Sequence, residues 1–404
     1  MKNFINKIIA TALLFTLVIA TSCNKGFEDV PFTTTASGPT LSEKLNTDPT
    51  FSFYRDALVK YGLINQLSVV GNGVTAFGLD NATLTAVYAS FGLTPAQFIA
   101  LPSTTGTPLT ATQAATINGQ FGAVFQYSIV ATNLPSARFP SSYSAASSLF
   151  PAQVPNVQMP TAIVLPGGNP LVRMNIFPAK NGAIFYANTV PIVTPDAITA
   201  SNGTLHRVPT PVTPPSQVLA QMIYTDPNHT YLTAAIARAD SGQVGLNRLD
   251  SVLKFGVANI TVFAPTNLAF QTLLTGAIAQ ALIAQGVAPA TALAQATFLA
   301  STPAVFSNPA LFGALSAQTV RGIVVYHLLG NRTFSNNLPL STASIRTLLN
   351  SAIAAHPGVV VDRSTASPRL LGLGNGGNFS NFTALDRHAV NGVWHVIDRV
   401  LLPQ

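Results

Sequence analysis

Thr261-Val262-Phe263-Ala264-Pro265-Thr266-Asn267-Leu268-Ala269-Phe270 reads as a strand that turns directly into a helix. Thr261 to Phe263 is β-branched and aromatic. Pro265 has no N–H to extend a ladder, and Thr266 or Asn267 can accept the orphan N–H groups of a helix beginning near Leu268. Upstream, Phe77-Gly78-Leu79-Asp80-Asn81 has the same layout, with an apolar helix-like run behind it. Three further pairs recur in the same order. Leu45-Asn46-Thr47-Asp48-Pro49, followed by Phe51, Phe53 and Leu58, matches Ile223-Tyr224-Thr225-Asp226-Pro227, followed by Tyr231, Leu232 and Ile236. Val124-Phe125-Gln126-Tyr127-Ser128-Ile129-Val130 matches Ile323-Val324-Val325-Tyr326-His327-Leu328-Leu329, and Asn202-Gly203-Thr204-Leu205-His206-Arg207-Val208 matches Asn391-Gly392-Val393-Trp394-His395-Val396-Ile397. Self-similarity in this order implies two copies of one unit.

The copy nearer the C-terminus carries a resemblance. Its strand-to-helix block, its Tyr326-His327-Leu328-Leu329 and its terminal Asn391-Gly392-Val393-Trp394-His395-Val396-Ile397-Asp398 resemble the three hallmark blocks of the fasciclin domain. The first copy resembles a degenerate version, with Gly78-Leu79-Asp80-Asn81 for Ala-Pro-Thr-Asn and Tyr127-Ser128 for Tyr-His. The resemblance implies an α+β fold: two tandem fasciclin-like domains, each a β-rich wedge or sandwich with packed helices. The expected boundaries are residues 33–208 and 216–404, joined over 209–215 by a linker whose sequence, Pro209-Thr210-Pro211-Val212-Thr213-Pro214-Pro215, favours stiff extended chain and hence a preferred relative orientation. Between Leu134 and Asn175 a Pro-, Ser- and Ala-rich stretch predicts an irregular surface excursion.

Finer readings follow from local pattern. Arg321 to Leu329, apolar and β-branched, reads as a buried strand bounded by Gly330 and Asn331. Helices are expected to dominate 268–320 and strands the remainder of that copy. Asn391-Gly392 reads as the two positive-φ positions of a hairpin turn feeding a strand. Whether Val393, His395 and Ile397 or their neighbours face inward is left open by the period. Phe263, Pro265, Thr266, Asn267, Asn391, Gly392, His395 and Asp398 are thus expected to be structural.

Composition narrows function. The 404 residues are 48% hydrophobic and only 8% charged, with 28 Gly and 29 Pro, so the chain can close two cores and is not a disordered one. The formal charge of +7 falls to +5 once Lys2 and Lys7 are assigned to a leader, leaving 18 Lys and Arg against 13 Asp and Glu. Those cations are scattered singly, without interleaved aromatics, which argues against nucleic acid as a partner. The single cysteine, Cys23, excludes a disulfide or a multi-thiolate zinc site within the chain.

Lys2 and Lys7, the apolar run from Ile8 to Ala20 and the small residues before Cys23 have the order of a secretory leader, too short to span a bilayer comfortably. Ala20-Thr21-Ser22-Cys23 resembles the lipobox of bacterial lipoproteins, which implies a signal peptide over 1–22, lipid on Cys23 and a tether over 23–32. Plain secretion with an unpaired thiol is the alternative. The charged Asn24-Lys25-Gly26-Phe27-Glu28-Asp29 resembles the export signal of Bacteroidetes lipoproteins, implying an outer-membrane lipoprotein exposed at the cell surface, with the periplasmic face as the alternative.

Candidate sites are few. The fasciclin resemblance implies that Tyr326 and His327 contact a ligand in adhesion. His327 and His395 could hold a metal or move protons, but in apolar strands they are better read as core histidines bonded to backbone carbonyls or carboxylates. Asp386, His388 and Asp398 could add ligands or a catalytic acid; the plainer reading is an exposed loop and the salt-bridged end of a strand. Gly372-Leu373-Gly374-Asn375-Gly376-Gly377 has the spacing of a dinucleotide-binding turn, yet Asn378 to Thr383 is strand-like where a phosphate site needs a helix, so it reads as a hairpin loop. No nucleophile elbow, zincin helix or phosphate loop occurs in the sequence. The expectation is a non-enzymatic, lipid-anchored adhesion protein that binds a protein or glycan, with no cofactor and no metal. The alternatives are a glycan-capture accessory to nutrient uptake and a hydrolase using His395 and Asp386.

Overall fold

The computed structural model describes residues 38–69, 73–140, 146–147, 174–256 and 258–404. The expected leader, Cys23 and the tether lie outside these residues, as does most of the Pro-, Ser- and Ala-rich stretch.

The first half contributes α1 (Leu41–Thr47), α2 (Ser52–Lys60), β1 (Val74–Gly78), α3 (Asn81–Ala89), α4 (Pro95–Ala100), α5 (Ala111–Tyr127), β2 (Ile129–Val130), β3 (Ala146–Ser147), β4 (Asn175–Ile176), β5 (Pro178–Asn181), β6 (Ile184–Ala187), β7 (Val190–Pro191), β8 (Thr194–Ala200) and β9 (Gly203–Arg207). The second half contributes α6 (Leu219–Thr225), α7 (Thr230–Ala239), α8 (Leu249–Lys254), β10 (Ile260–Pro265), α9 (Asn267–Ala284), α10 (Pro289–Leu299), α11 (Ala317–Tyr326), β11 (Leu328–Leu329), β12 (Ala343–Ile345), α12 (Leu349–Ala352), β13 (Val359–Asp362), β14 (Arg369–Leu371), β15 (Ser380–Ala389) and β16 (Gly392–Ile397). Helices and mixed sheets make the chain α+β.

The repeat is visible in the topology. One sheet runs β2-β1-β9-β8 and the other β11-β10-β16-β15, continued by β14-β13-β12. In each, the first pair is antiparallel, the second parallel and the third antiparallel. Register agrees as well: Phe77 lies beside His206 and Phe263 beside His395. Thr266 caps α9 by accepting from Ala269 N at 3.2 Å, as Asp80 caps α3 by accepting from Thr83 N at 2.8 Å. Pro265 ends β10. The strand-to-helix corner predicted from residue types is therefore present twice.

Three local expectations are corrected. Residues 317–326 form a helix, not a strand, and only Leu328–Leu329 extends. Ser316 accepts from Thr319 N at 3.0 Å, and Val320 and Val324, four residues apart, bury one face; cap and packing outweigh the β-branched composition. Helix thus reaches beyond 320, and α6 to α8 add helix before 268. At the β15–β16 hairpin Ala389 pairs with Gly392, so the turn is Val390-Asn391, and neither Asn391 nor Gly392 has positive φ. Gly392 answers a different need: a Cβ there would meet Ile260 O at 2.3 Å, just as one at Gly203 would meet Val74 O at 2.2 Å. Both glycines let the parallel neighbour strand approach. Finally, the alternation expected along β16, one set of side chains inward and its neighbours outward, is absent, because both faces are buried.

Between β9 and α6 the linker forms no regular secondary structure, and Val212 is buried. The halves also touch directly. Asn181 Nδ2 donates to Asn336 O at 2.6 Å and Asn336 Nδ2 to Asn188 O at 2.8 Å. Phe177 of the first half meets Phe334 with ring centroids 5.9 Å apart and lies over the Arg332 guanidinium at 4.3 Å.

Candidate functional site

The Tyr326-His327 pair sits where α11 ends. Tyr326 is fully buried and His327 is 2% exposed, so the adhesive contact implied for them is not available without opening this corner. Tyr326 donates to Gly358 O at 2.6 Å and accepts from Leu373 N at 3.2 Å. His327 follows the helix as its C-cap, not within a strand. Leu401 N donates to its Nε2 at 2.9 Å, which leaves the ring proton on Nδ1 to donate to Ile323 O at 2.8 Å. Burial pushes the imidazole down to about 4 against that helpful bond. It is a neutral core histidine.

His395 lies on β16, fully buried. Asp386 N donates to its Nδ1 at 3.2 Å, so Nε2–H donates to Thr333 O at 2.9 Å. The Asp386 carboxylate, 3.9 Å from Nδ1, accepts from Ser335 N at 2.7 Å and also from the Ser335 hydroxyl. A serine, an aspartate and a histidine thus adjoin, but in the wrong sense for acyl transfer. A nucleophile must give its proton to the histidine, whereas Ser335 gives it to the aspartate, Nδ1 already accepts from Asp386 N, and Nε2 carries its own proton toward a main-chain carbonyl. Burial lowers the His395 pKa, with Asp386 pulling the other way. The first half repeats the arrangement: Asp196 N donates to His206 Nδ1 at 3.0 Å, His206 Nε2 bonds Leu134 O at 2.8 Å, and Ser136 N donates to Asp196 at 2.9 Å. Asp196 and Asp386 both adopt positive φ, 52° and 59°, which aspartate tolerates at a bulge. Sequence reasoning aligned His206 with His395 but missed Ser136, Asp196 and Ser335, whose partners lie 51 to 60 residues apart.

The remaining sequence candidates have separate duties. His388 is on β15, not in an exposed loop; its Nε2 accepts from Arg332 Nη1 at 2.6 Å, and burial together with that guanidinium holds it well below the usual imidazole range. Arg332 also donates to Ala389 O, Val390 O and Asn259 Oδ1 at 2.9–3.1 Å. Asp398, expected in a salt bridge, instead accepts from Asn381 N at 2.7 Å and Asn381 Nδ2 at 2.8 Å. Phe263 is buried beside His395, with centroids 5.9 Å apart. Asn267 accepts from Tyr231 N at 3.1 Å and donates to Pro227 O at 2.8 Å. Asn391 accepts from Leu219 N at 2.8 Å and donates to Leu253 O at 2.7 Å and Phe255 O at 3.1 Å. The glycine-rich loop does join two antiparallel neighbours, β14 and β15. It also cradles the chain's last residues: a Cβ on Gly374 would strike Gln404 O at 2.0 Å, and Asn375 accepts from Leu402 N at 2.9 Å. Among the described residues no group of three or more His, Cys, Asp or Glu side chains gathers to hold a metal ion.

A fourth cluster was not read from the sequence. Arg387 on β15 donates to Asp226 at 2.8 Å and lies over the Trp394 ring at 4.7 Å, while buried His229 meets Trp394 edge-on at 4.9 Å. His229 Nδ1 is 3.4 Å from Asp226. Burial pushes His229 below its usual range despite that carboxylate. Burial raises Asp226, but the hydrogen bonds from Asn228 N and Arg387 outweigh it and hold the carboxyl low.

No protein-family model matches the chain, and no curated protein matches it. Among solved structures it is similar to one described as the novel fold of a FAS1 domain pair from the insect cell adhesion molecule fasciclin I. The likeness covers 87% of this chain and 96% of that one, at 11% identity and a TM-score of 0.30.

Proposed function

We propose that this chain is a non-enzymatic, lipid-anchored protein of the cell envelope whose two fasciclin-like halves mediate adhesion by holding a protein or glycan ligand. The observation that carries the non-catalytic part is the duplicated Ser–Asp–His wiring, in which each proton-bearing group is already engaged by the fold. A general base must reach a substrate proton, and both ring nitrogens of His395 and of His206 are committed to main-chain groups. The hydrolase alternative loses its named residues on the same ground. Glycan capture by stacking on Trp394 is disfavoured too, because that ring is only 1% exposed. Binding then falls to the exposed surface, and the membrane attachment rests on the leader and Cys23.

Beads coated with the full chain, offered to protein and glycan arrays, test the adhesive reading. Saturable capture that survives His395→Gln at a temperature where the variant stays folded supports it. Turnover of an ester or glycoside panel, abolished by His395→Gln with the fold intact, would overturn it. Mass spectrometry of the mature N-terminus tests the anchor, which requires a diacylglyceryl mass on Cys23.

A further inference from the structure

The chain from Tyr61 to Ala137 carries one charged side chain, Asp80. Helices α3 and α5 of this stretch and the Pro-rich linker, residues 209–215, border an open cavity of about 420 Å³. Its floor is α5, through Phe121 and Val124; α3 supplies Val87, Phe91 follows it, and Pro211 and Pro215 close the far side. Phe91 and Phe121 stand edge to face at 5.5 Å. Among the described residues no ionisable side chain lines the cavity, and the polar groups there are Gln120, Thr213 and Ser216.

These features have a physical consequence. Water inside such a space finds few hydrogen-bond partners, so an apolar occupant displaces it at little cost, whereas a charged one would lose hydration without a counter-charge. The volume lies within the range of small-molecule sites. Proline on one wall and a seventeen-residue helix on the other leave little freedom to be lost on binding. Asn118, on the same helix, already accepts from Tyr61 at 3.2 Å, so the floor is tied down from behind.

We infer that this cavity is a binding site for an uncharged, predominantly apolar small molecule, of the class of a fatty alcohol or a neutral aromatic, with a single polar group turned toward Gln120, Thr213 or Ser216. The site is separate from the adhesive reading and holds or fails without it. An occupant would rest against the segment that joins the two halves.

The probe is N-phenyl-1-naphthylamine, uncharged and fluorescent in apolar surroundings, titrated into the full chain. Saturable binding at one site per chain is expected. Ala123→Trp, which fills the cavity from α5, should weaken it by at least about tenfold while the melting temperature moves by no more than about 2 °C. Should Ala123→Trp lose its far-ultraviolet dichroism, Val87→Trp from the α3 wall decides instead. Octan-1-ol should displace the probe at concentrations at least about tenfold below those of octanoate or octylammonium. Non-saturable uptake, indifference to both tryptophan variants, or equal displacement by the charged competitors would each overturn the assignment.

Discussion

The two halves share a scaffold and differ in what fills it. Asn202 and Asn391 each accept from the first N–H of a helix, Leu41 N and Leu219 N, and donate to two carbonyls beyond the next helical segment. Thr75 and Thr261 each donate to a carbonyl after the short second strand and accept from an N–H two residues further on. Where the second half places His229, Arg387 and Trp394, the first places Phe51, Ile198 and Leu205, all apolar and buried. Groups present in both halves are therefore architecture, and the ionisable groups peculiar to one half are where it can behave differently.

Acid should separate the halves most. Burial lowers one histidine in the first half, His206, and four in the second, His229, His327, His388 and His395. A base with a depressed native pKa contributes its full stability above the unfolded value near 6.5. Below that pH the unfolded chain takes up a proton that the native chain refuses, so stability falls as pH drops, at up to about 1.4 kcal/mol per unit for each group. For His327 the loss continues to about pH 4. Between pH 7 and pH 5 the second half should lose several times more stability than the first. Hydrogen exchange resolved by peptide, corrected for intrinsic rates, measures this, and equal losses would break the comparison.

The shared asparagines come next. Asn391→Ala strands Leu219 N, Leu253 O and Phe255 O, and Asn202→Ala strands Leu41 N, Leu67 O and Val69 O. Two of the three bonds at each asparagine are buried and the third is partly so, and at about 1–3 kcal/mol for each buried orphan each change should cost roughly 2–6 kcal/mol. Urea titration should find the two costs similar. A large cost at one position only would mean that the equivalence is topological and not energetic.

How much of this was legible follows from sequence distance. The duplication, the Thr266 cap and the Pro265 stop were readable because each depends on residues within a few positions of one another. The Ser–Asp–His wiring was not, because Ser335 reaches Asp386 across 51 residues and the bulge at Asp386 leaves no periodic trace. The strand predicted over Arg321 to Leu329 failed because Val and Ile favour strands locally, while one-sided burial of Val320 and Val324 favours helix globally. Asn391-Gly392 was recognised as important for the wrong reason: the glycine admits Ile260 O, and the asparagine is a three-way bridge.

His395→Ala and His206→Ala should each cost about 2–4 kcal/mol, since each removes a buried ring and strands both an N–H and a carbonyl. Thermal melts of the pair sharpen the comparison: a much smaller cost for His395→Ala would indicate that this ring is held for something other than the core.

The smallest effect bears on the Tyr-His pair itself. Tyr326 bridges Gly358 O and Leu373 N, and Tyr127, its counterpart, donates to Asn175 O at 2.6 Å and accepts from Asn188 Nδ2 at 3.1 Å. Both hydroxyls tie the end of a helix to the chain that follows, although one half continues with Ser128 and the other with His327. Tyr326→Phe and Tyr127→Phe should each cost about 1–2 kcal/mol, because the partners stay buried and lose a bond without gaining water. Under the proposed reading, in which a ligand is held at the exposed surface, capture by either variant should match the parent at temperatures where both are folded. Loss of capture in Tyr326→Phe, with stability unchanged and Tyr127→Phe normal, would show that the second corner opens to meet a partner and that the likeness of the two corners ends there.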